Sequence, residues 1–173
     1  GPSEELFETF DDAGRPLGLV PRSEVHRRGL WHRASNVFLF DSQGLLYLQR
    51  RAAGKDVWPN AWDLTVGEHL QPGESFAQGA LRGLAEELAI TGVALEALGD
   101  IVRGSLDIPE LNIRDYELQQ SFRGVYDGEV LLDRAEVADI RRLSLAALAT
   151  EVAADPDAFT PWLRSRLHAF GWL

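Results

Sequence analysis

The chain predicts an α/β fold in which a mixed sheet is covered on both faces by helices. Three observations lead there: short apolar runs bounded by turn residues before residue 66, one strongly amphipathic helix at the centre, and more strand-like runs followed by two helices. Phe7 to Val20 reads as an N-terminal β-hairpin with Asp11-Asp12-Ala13-Gly14 as its turn. Asn36–Phe40 and Leu45–Gln49 flank Asp41-Ser42-Gln43-Gly44, a second strand-turn-strand signal. Trp62–Val66 reads as one strand. Ser75–Leu88 reads as a helix, with Ser75 and Gln78 forming a capping box and Phe76, Ala77, Ala80, Leu81, Leu84 and Leu88 supplying the buried face. Leu98–Arg103 and Arg114–Tyr126 read as strands. C-terminal helices follow at Ser144–Ala154 and after Thr160, which caps a helix with Pro161 at its first position.

With 173 residues, 45% apolar and 25% charged, the chain predicts one globular domain over residues 4–173, with a sizeable core. Gly1-Pro2-Ser3 resembles a tag remnant, and the lack of Met fits a missing start residue. A net charge of −10 argues against a nucleic-acid polymer as partner. The absence of Cys excludes a disulfide framework and a thiol nucleophile, and is compatible with the cytoplasm. No apolar run approaches the roughly 20 residues that cross a bilayer, and no signal-peptide pattern opens the chain. A monomer and a homodimer both remain open.

The chemistry concentrates in Glu68–Ile90. Glu74 precedes the helix, Arg82 lies within it, and Glu86 and Glu87 end it. At 100° per residue, Gly79, Gly83, Glu86 and Glu87 share an arc of ~80–100°. Arg82, four residues before Glu86, is placed to hold that carboxylate. Each mid-helix Gly costs about 1 kcal/mol relative to Ala, so the pair needs a reason, either room for a phosphate and metal or close packing of the helix. Hard cations such as Mg²⁺ take oxygen ligands together with substrate phosphate, which fits three carboxylates from one loop and helix.

This stretch resembles the Nudix box, G-x5-E-x7-R-E-U-x-E-E-x-G-U, where U is aliphatic. Its spacing is kept, but Glu68 stands at the first Gly, Gly83 at the Glu after the Arg, and Ala89 at the last Gly. The resemblance implies a Nudix fold, an α/β/α sandwich, and Mg²⁺-dependent cleavage of a small-molecule diphosphate, with Mn²⁺ as a second metal. Glu74, Glu86 and Glu87 become its metal ligands, and Gly83 removes an acid that serves the family as ligand or base. Glu68 and Glu117 are the candidate bases, and an exposed loop residue is the favoured competing reading of Glu68.

The flanks resemble the branch that includes isopentenyl-diphosphate isomerase. They are His26 with His32–Phe40, Leu48–Trp62, and Asp155–Trp162. By that resemblance His26, His32, His69, Asp115 and Glu117 form a second metal site. Asp115 and Glu117, at i and i+2, face one side of a strand, and imidazole with carboxylate suits Zn or Mn better than Mg. Surface placement of His26 and a structural role for His32 beside Trp31 are the competing readings. Arg51 and Lys55 match diphosphate contacts, with Arg50 beside them; Arg fits phosphate with a planar fork. An ordinary basic strand end is the other reading of these three. The isomerase also uses a Cys where this chain has Gly67, so isomerisation by that route is not expected. A diphosphate-binding module with little turnover is the remaining alternative, and Gly83 favours it.

Overall fold

The computed structural model describes residues 4–173, so the expected remnant at Gly1–Ser3 lies outside the described residues. The elements run β1 (Leu6–Phe10), β2 (Pro16–Pro21), α1 (Arg22–Arg28), β3 (Trp31–Phe40), β4 (Leu46–Arg51), β5 (Trp62–Asp63), β6 (Val66–His69), α2 (Phe76–Leu88), β7 (Glu96–Ile108), β8 (Ile113–Val125), β9 (Val137–Leu143), α3 (Leu145–Ala154) and α4 (Pro161–Ala169). This is an α/β protein with a mixed sheet. No helix among the described residues is long and apolar enough to cross a membrane.

The chain forms two compact units interleaved in sequence. The first takes residues up to Asn36, Gly67–Ala80 and Ala97–Phe122. In it β1 pairs antiparallel with β2 and, at Phe10, with Trp31 of β3, while β7 pairs with β8. The β1–β2 turn is built by Asp11, whose carboxylate accepts from the Ala13 and Arg15 amides, and by Gly14 at φ 80°. Phe7, Val25, Ala34 and Leu70 are buried here.

The second unit takes Val37–Val66, Leu81–Glu96 and Arg123–Leu173. The same turn device recurs: Asp41 accepts from the Gln43 and Leu45 amides, with Gly44 at φ 81°. β4 lies between β5 and β9, with Leu46 opposite Leu143 and Arg50 opposite both Trp62 and Asp139. Leu46, Leu48, Leu64, Leu84, Leu148 and Leu163 are fully buried. Burying a side chain of this kind contributes about 1.5–3 kcal/mol. Ser144 caps α3 through its hydroxyl, and Thr160 caps α4 as expected.

Several elements differ from the sequence reading. The Trp62–Val66 strand is two short strands, because the Thr65 hydroxyl is drawn away to the Tyr47 carbonyl and the Leu39 amide. α1 is added; seven residues with only Val25 buried give no readable period. β9 is added as well. Its apolar residues Val137, Ile140 and Leu143 are three apart, and the strand exists through its pairing along β4. In α2 the capping box forms as expected, with Ser75 and Gln78 exchanging hydrogen bonds. Its buried side is corrected to Gly79, Ala80, Gly83, Leu84 and Leu88, with Ala77 exposed and Leu81 42% exposed. A Cβ on Gly79 would lie 3.0 Å from Leu70 Cδ1, so this glycine serves close packing. Hydropathy gives glycine no weight, and the expected face was therefore rotated away from them.

α2 ends at Ala89, held at φ 55° while the Ile90 amide reaches back to the Leu84 carbonyl. This left-handed conformation costs a Cβ-bearing residue roughly 1–2 kcal/mol. Ala89→Gly is expected to stabilise the fold by about 0.5–1 kcal/mol after the entropy of the unfolded chain is counted, measured as a rise in urea midpoint without a change in slope.

Candidate functional site

In the first unit five ionisable residues converge. α1 carries His26 and ends at Gly29 in the left-handed region. His32 is the second residue of β3, His69 the last of β6, and Asp115 and Glu117 share one face of β8. One donor atom from each of His26, His32, His69 and Asp115 lies within 4.8 Å of the others. Asp115 Oδ1 is 3.2 Å from His32 Nε2 and 3.6 Å from His26 Nε2. Glu117 Oε2 is 2.9 Å from His69 Nε2 and 3.6 Å from His32 Nε2.

His32 is 1% exposed and stacks on Phe7 with ring centroids 5.3 Å apart. Its Nδ1 is 3.0 Å from the Leu30 carbonyl, to which it donates, and this turns Nε2 toward the carboxylates. His26 Nε2, His32 Nε2 and Asp115 Oδ1 are buried without a hydrogen-bond partner: they are close to one another but not aligned for hydrogen bonds. Buried polar atoms are seldom left unsatisfied, and three facing one another mark a place for a shared ligand. Imidazole and carboxylate donors with this convergence fit a divalent cation.

Burial opposes charge on His32, but the close carboxylates of Asp115 and Glu117 overcome it and raise its pKa to about 10. Burial lowers His26 to about 4, with His69, His32 and Arg22 adding to the fall and Asp115 opposing it. Burial pushes Glu117 up, yet the nearby imidazoles of His32 and His69 hold it well below the usual carboxylate range. Arg22 Nη1 lies 3.4 Å from His69 Nδ1, and its Cζ lies 5.9 Å from the Phe7 ring centre, a cation at this cluster that the sequence reading did not single out. Its only sequence signal is a position four residues, about one helical turn, before His26 in a basic stretch.

Glu74 and Glu68 are also in the first unit. Glu74 Oε1 accepts from the Gln71 amide at 2.7 Å, closing the loop before α2, and Glu68 is half-buried on β6.

The C-terminal part of α2 lies in the second unit. Arg82 Nη1 is 3.3 Å from Glu86 Oε2, the i, i+4 pair expected, with Glu86 56% exposed. Glu87 accepts from Gln49 Nε2 at 3.4 Å, and the same amide donates to the Thr65 carbonyl at 2.8 Å.

Two of the three cations of β4 and its following loop have side-chain partners in the protein. Arg51 Nε donates to the Val57 carbonyl at 3.0 Å, its Nη1 is 3.3 Å from Asp63 Oδ2, and it lies over the Trp162 ring at 5.1 Å. Lys55 pairs with Glu136, and Arg50 is half-buried on β4. Asp63 is the anchor that sequence reasoning missed. It is buried and also accepts from the Thr160 hydroxyl, the Trp162 indole and the Leu64 amide. Its signal was faint: one Asp inside an apolar strand.

The NUDIX domain family model matches residues 30–163. The chain belongs to the Nudix family. It is 38% identical over 162 residues to an isopentenyl-diphosphate Delta-isomerase of Nocardia farcinica, covering 93% of this chain and 91% of that one. It is 44% identical over 95 residues to an uncharacterized Nudix hydrolase of Pseudomonas aeruginosa, covering 55% and 56% of the two chains. Its fold is similar to the crystal structure of a Deinococcus radiodurans protein, with a TM-score of 0.68 and 22% identity over 87% of this chain and 90% of that one. Within the Nudix box, Ala89 now has a physical meaning. The family pattern places Gly where this chain turns left-handed.

Asp63→Ala would leave Arg51, Thr160 and Trp162 without their buried acceptor. The expected cost is about 3–5 kcal/mol, read as a loss of urea midpoint.

Proposed function

We propose that this Nudix protein is a metal-dependent enzyme that hydrolyses a diphosphate bond in a nucleoside-diphosphate-linked or related small molecule. The observation that supports it most is the convergence of buried, partnerless His and carboxylate atoms, on a chain that also keeps Glu74, Arg82, Glu86 and Glu87 at box spacing.

Glu86 and Glu87 are the ligands for Mg²⁺, both oxygen donors, and Glu74 keeps the box spacing to them in sequence. His26, His32, His69, Asp115 and Glu117 are the ligands for a second, softer ion such as Mn²⁺. A divalent ion there supplies stabilisation of charge on phosphoryl oxygens. The protein's own groups do the rest. Arg82 fixes Glu86, and Arg50, Arg51 and Lys55 provide positive charge for the diphosphate. Glu117, held ionised, and Glu68 are the candidates for taking a proton from water.

A second reading, an isoprenoid-diphosphate isomerase, is favoured by the Nocardia relative's name and its match along most of the chain. Gly67 at the thiol position and the absence of any Cys oppose it. A binding module with little turnover is the third.

Phosphate release from nucleoside-diphosphate compounds, dinucleotides and isoprenoid diphosphates, each with Mg²⁺, Mn²⁺ or chelator, tests the three. Hydrolysis is expected to need metal and to fall by more than about 100-fold in Glu87→Gln. Rearrangement of isopentenyl diphosphate without phosphate release would establish the isomerase instead. Ligand-induced thermal stabilisation without any product would establish the binder. Glu68→Gln with undiminished hydrolysis would leave Glu117 as the base.

A further inference from the structure

The metal cluster has a supporting shell that neither the box nor the donor set identifies. Glu117 divides its two oxygens between different tasks. Oε2 faces the imidazoles of His69 and His32, at 2.9 and 3.6 Å. Oε1 accepts a hydrogen bond from Gln119 Nε2 at 2.9 Å. Gln119 follows Glu117 by two residues on β8, so both side chains project from the same face. It is 8% exposed, an amide buried beside a partly buried acid. An ionised carboxylate accepts only, so the amide must present its NH₂ end to Oε1, and this fixes the Gln119 rotamer as well as the acid.

Gly104 on the neighbouring β7 completes the arrangement. A Cβ there would lie 2.9 Å from Gln119 Nε2, 3.2 Å from Cδ and 3.3 Å from Oε1. Gly104 is not in the left-handed region, so its backbone does not require glycine. A glycine inside a strand weakens it and marks a close approach, and here the approaching group is the Gln119 amide.

We propose that Gln119 is a positioning residue that orients Glu117 for metal binding, and that Gly104 is glycine in order to leave room for its amide. The proposal rests on the reading that Glu117 belongs to a metal site. Partners behind metal ligands set the angle and basicity of those ligands, and their loss typically weakens metal affinity by about 10–100-fold.

The test is Mn²⁺ binding by isothermal titration to the wild-type chain, His32→Ala, Gln119→Met and Gly104→Ala, with the melting temperature of each chelator-treated protein as the folding control. Met keeps the length of Gln and removes its donor. The expected result is wild-type binding lost in His32→Ala and weakened about 10–100-fold in folded Gln119→Met. Gly104→Ala should weaken it in the same direction, and the double variant should be no worse than Gln119→Met alone, because both act on one contact. Unchanged Mn²⁺ affinity in Gln119→Met, with binding still lost in His32→Ala, overturns the role of Gln119 and leaves the metal site standing. Wild type that does not bind Mn²⁺, or that binds it equally in His32→Ala, overturns both. Should Gln119→Met fail to fold, Gly104→Ala decides: unchanged affinity there overturns the proposal.

Discussion

The first unit depends on a charge constraint. Two carboxylates and three imidazoles meet where water has little access, and protein hydrogen bonds leave some of their facing atoms unsatisfied. Such a group is costly as it stands and becomes favourable when positive charge is shared among the carboxylates. A proton on His32 does part of this, which is why its basicity rises against the effect of burial. A divalent cation bound there would satisfy the convergent His26, His32, His69 and Asp115 atoms at once. The local architecture serves this requirement: a left-handed Gly29 ends α1 after His26, the Leu30 carbonyl orients His32, and strand alternation puts Asp115 and Glu117 on one side.

The second unit answers a similar constraint with protein groups alone. Buried Asp63 has a raised pKa because burial outweighs the stabilising effects of Arg51, the Leu64 amide, Trp162 and Thr160. Those partners tie β4, β5 and the start of α4 together. Arg51 is therefore both a structural cation and, under the proposed function, a source of charge for phosphate. Its planar fork contacts Asp63 and the Val57 carbonyl while its face lies over Trp162.

Much of the fold was legible in the sequence because its signals are local. Asp11 and Asp41 build their turns within four residues, and Ser75, Ser144 and Thr160 cap helices within three. The Arg82–Glu86 pair was legible because it rests on a four-residue spacing along one helix. β9 and the break between β5 and β6 were not legible: a strand with three-residue apolar spacing exists only through its partner β4, and the break follows from hydrogen bonds to Tyr47 and Leu39.

The sequence by itself determined the α/β class, the capped helix and the inventory of acids, imidazoles and cations, since each depends on residue type and short-range geometry. Only the tertiary structure decided how they are used. It turned the glycine side of α2 inward, because bare backbone packs more closely than any side chain there. It assigned Arg51 to Asp63 and Lys55 to Glu136, and brought His26, His32 and His69 to Asp115 across gaps of up to 89 residues in sequence. Long-range pairing of strands sets those distances, and no spacing along the chain encodes them.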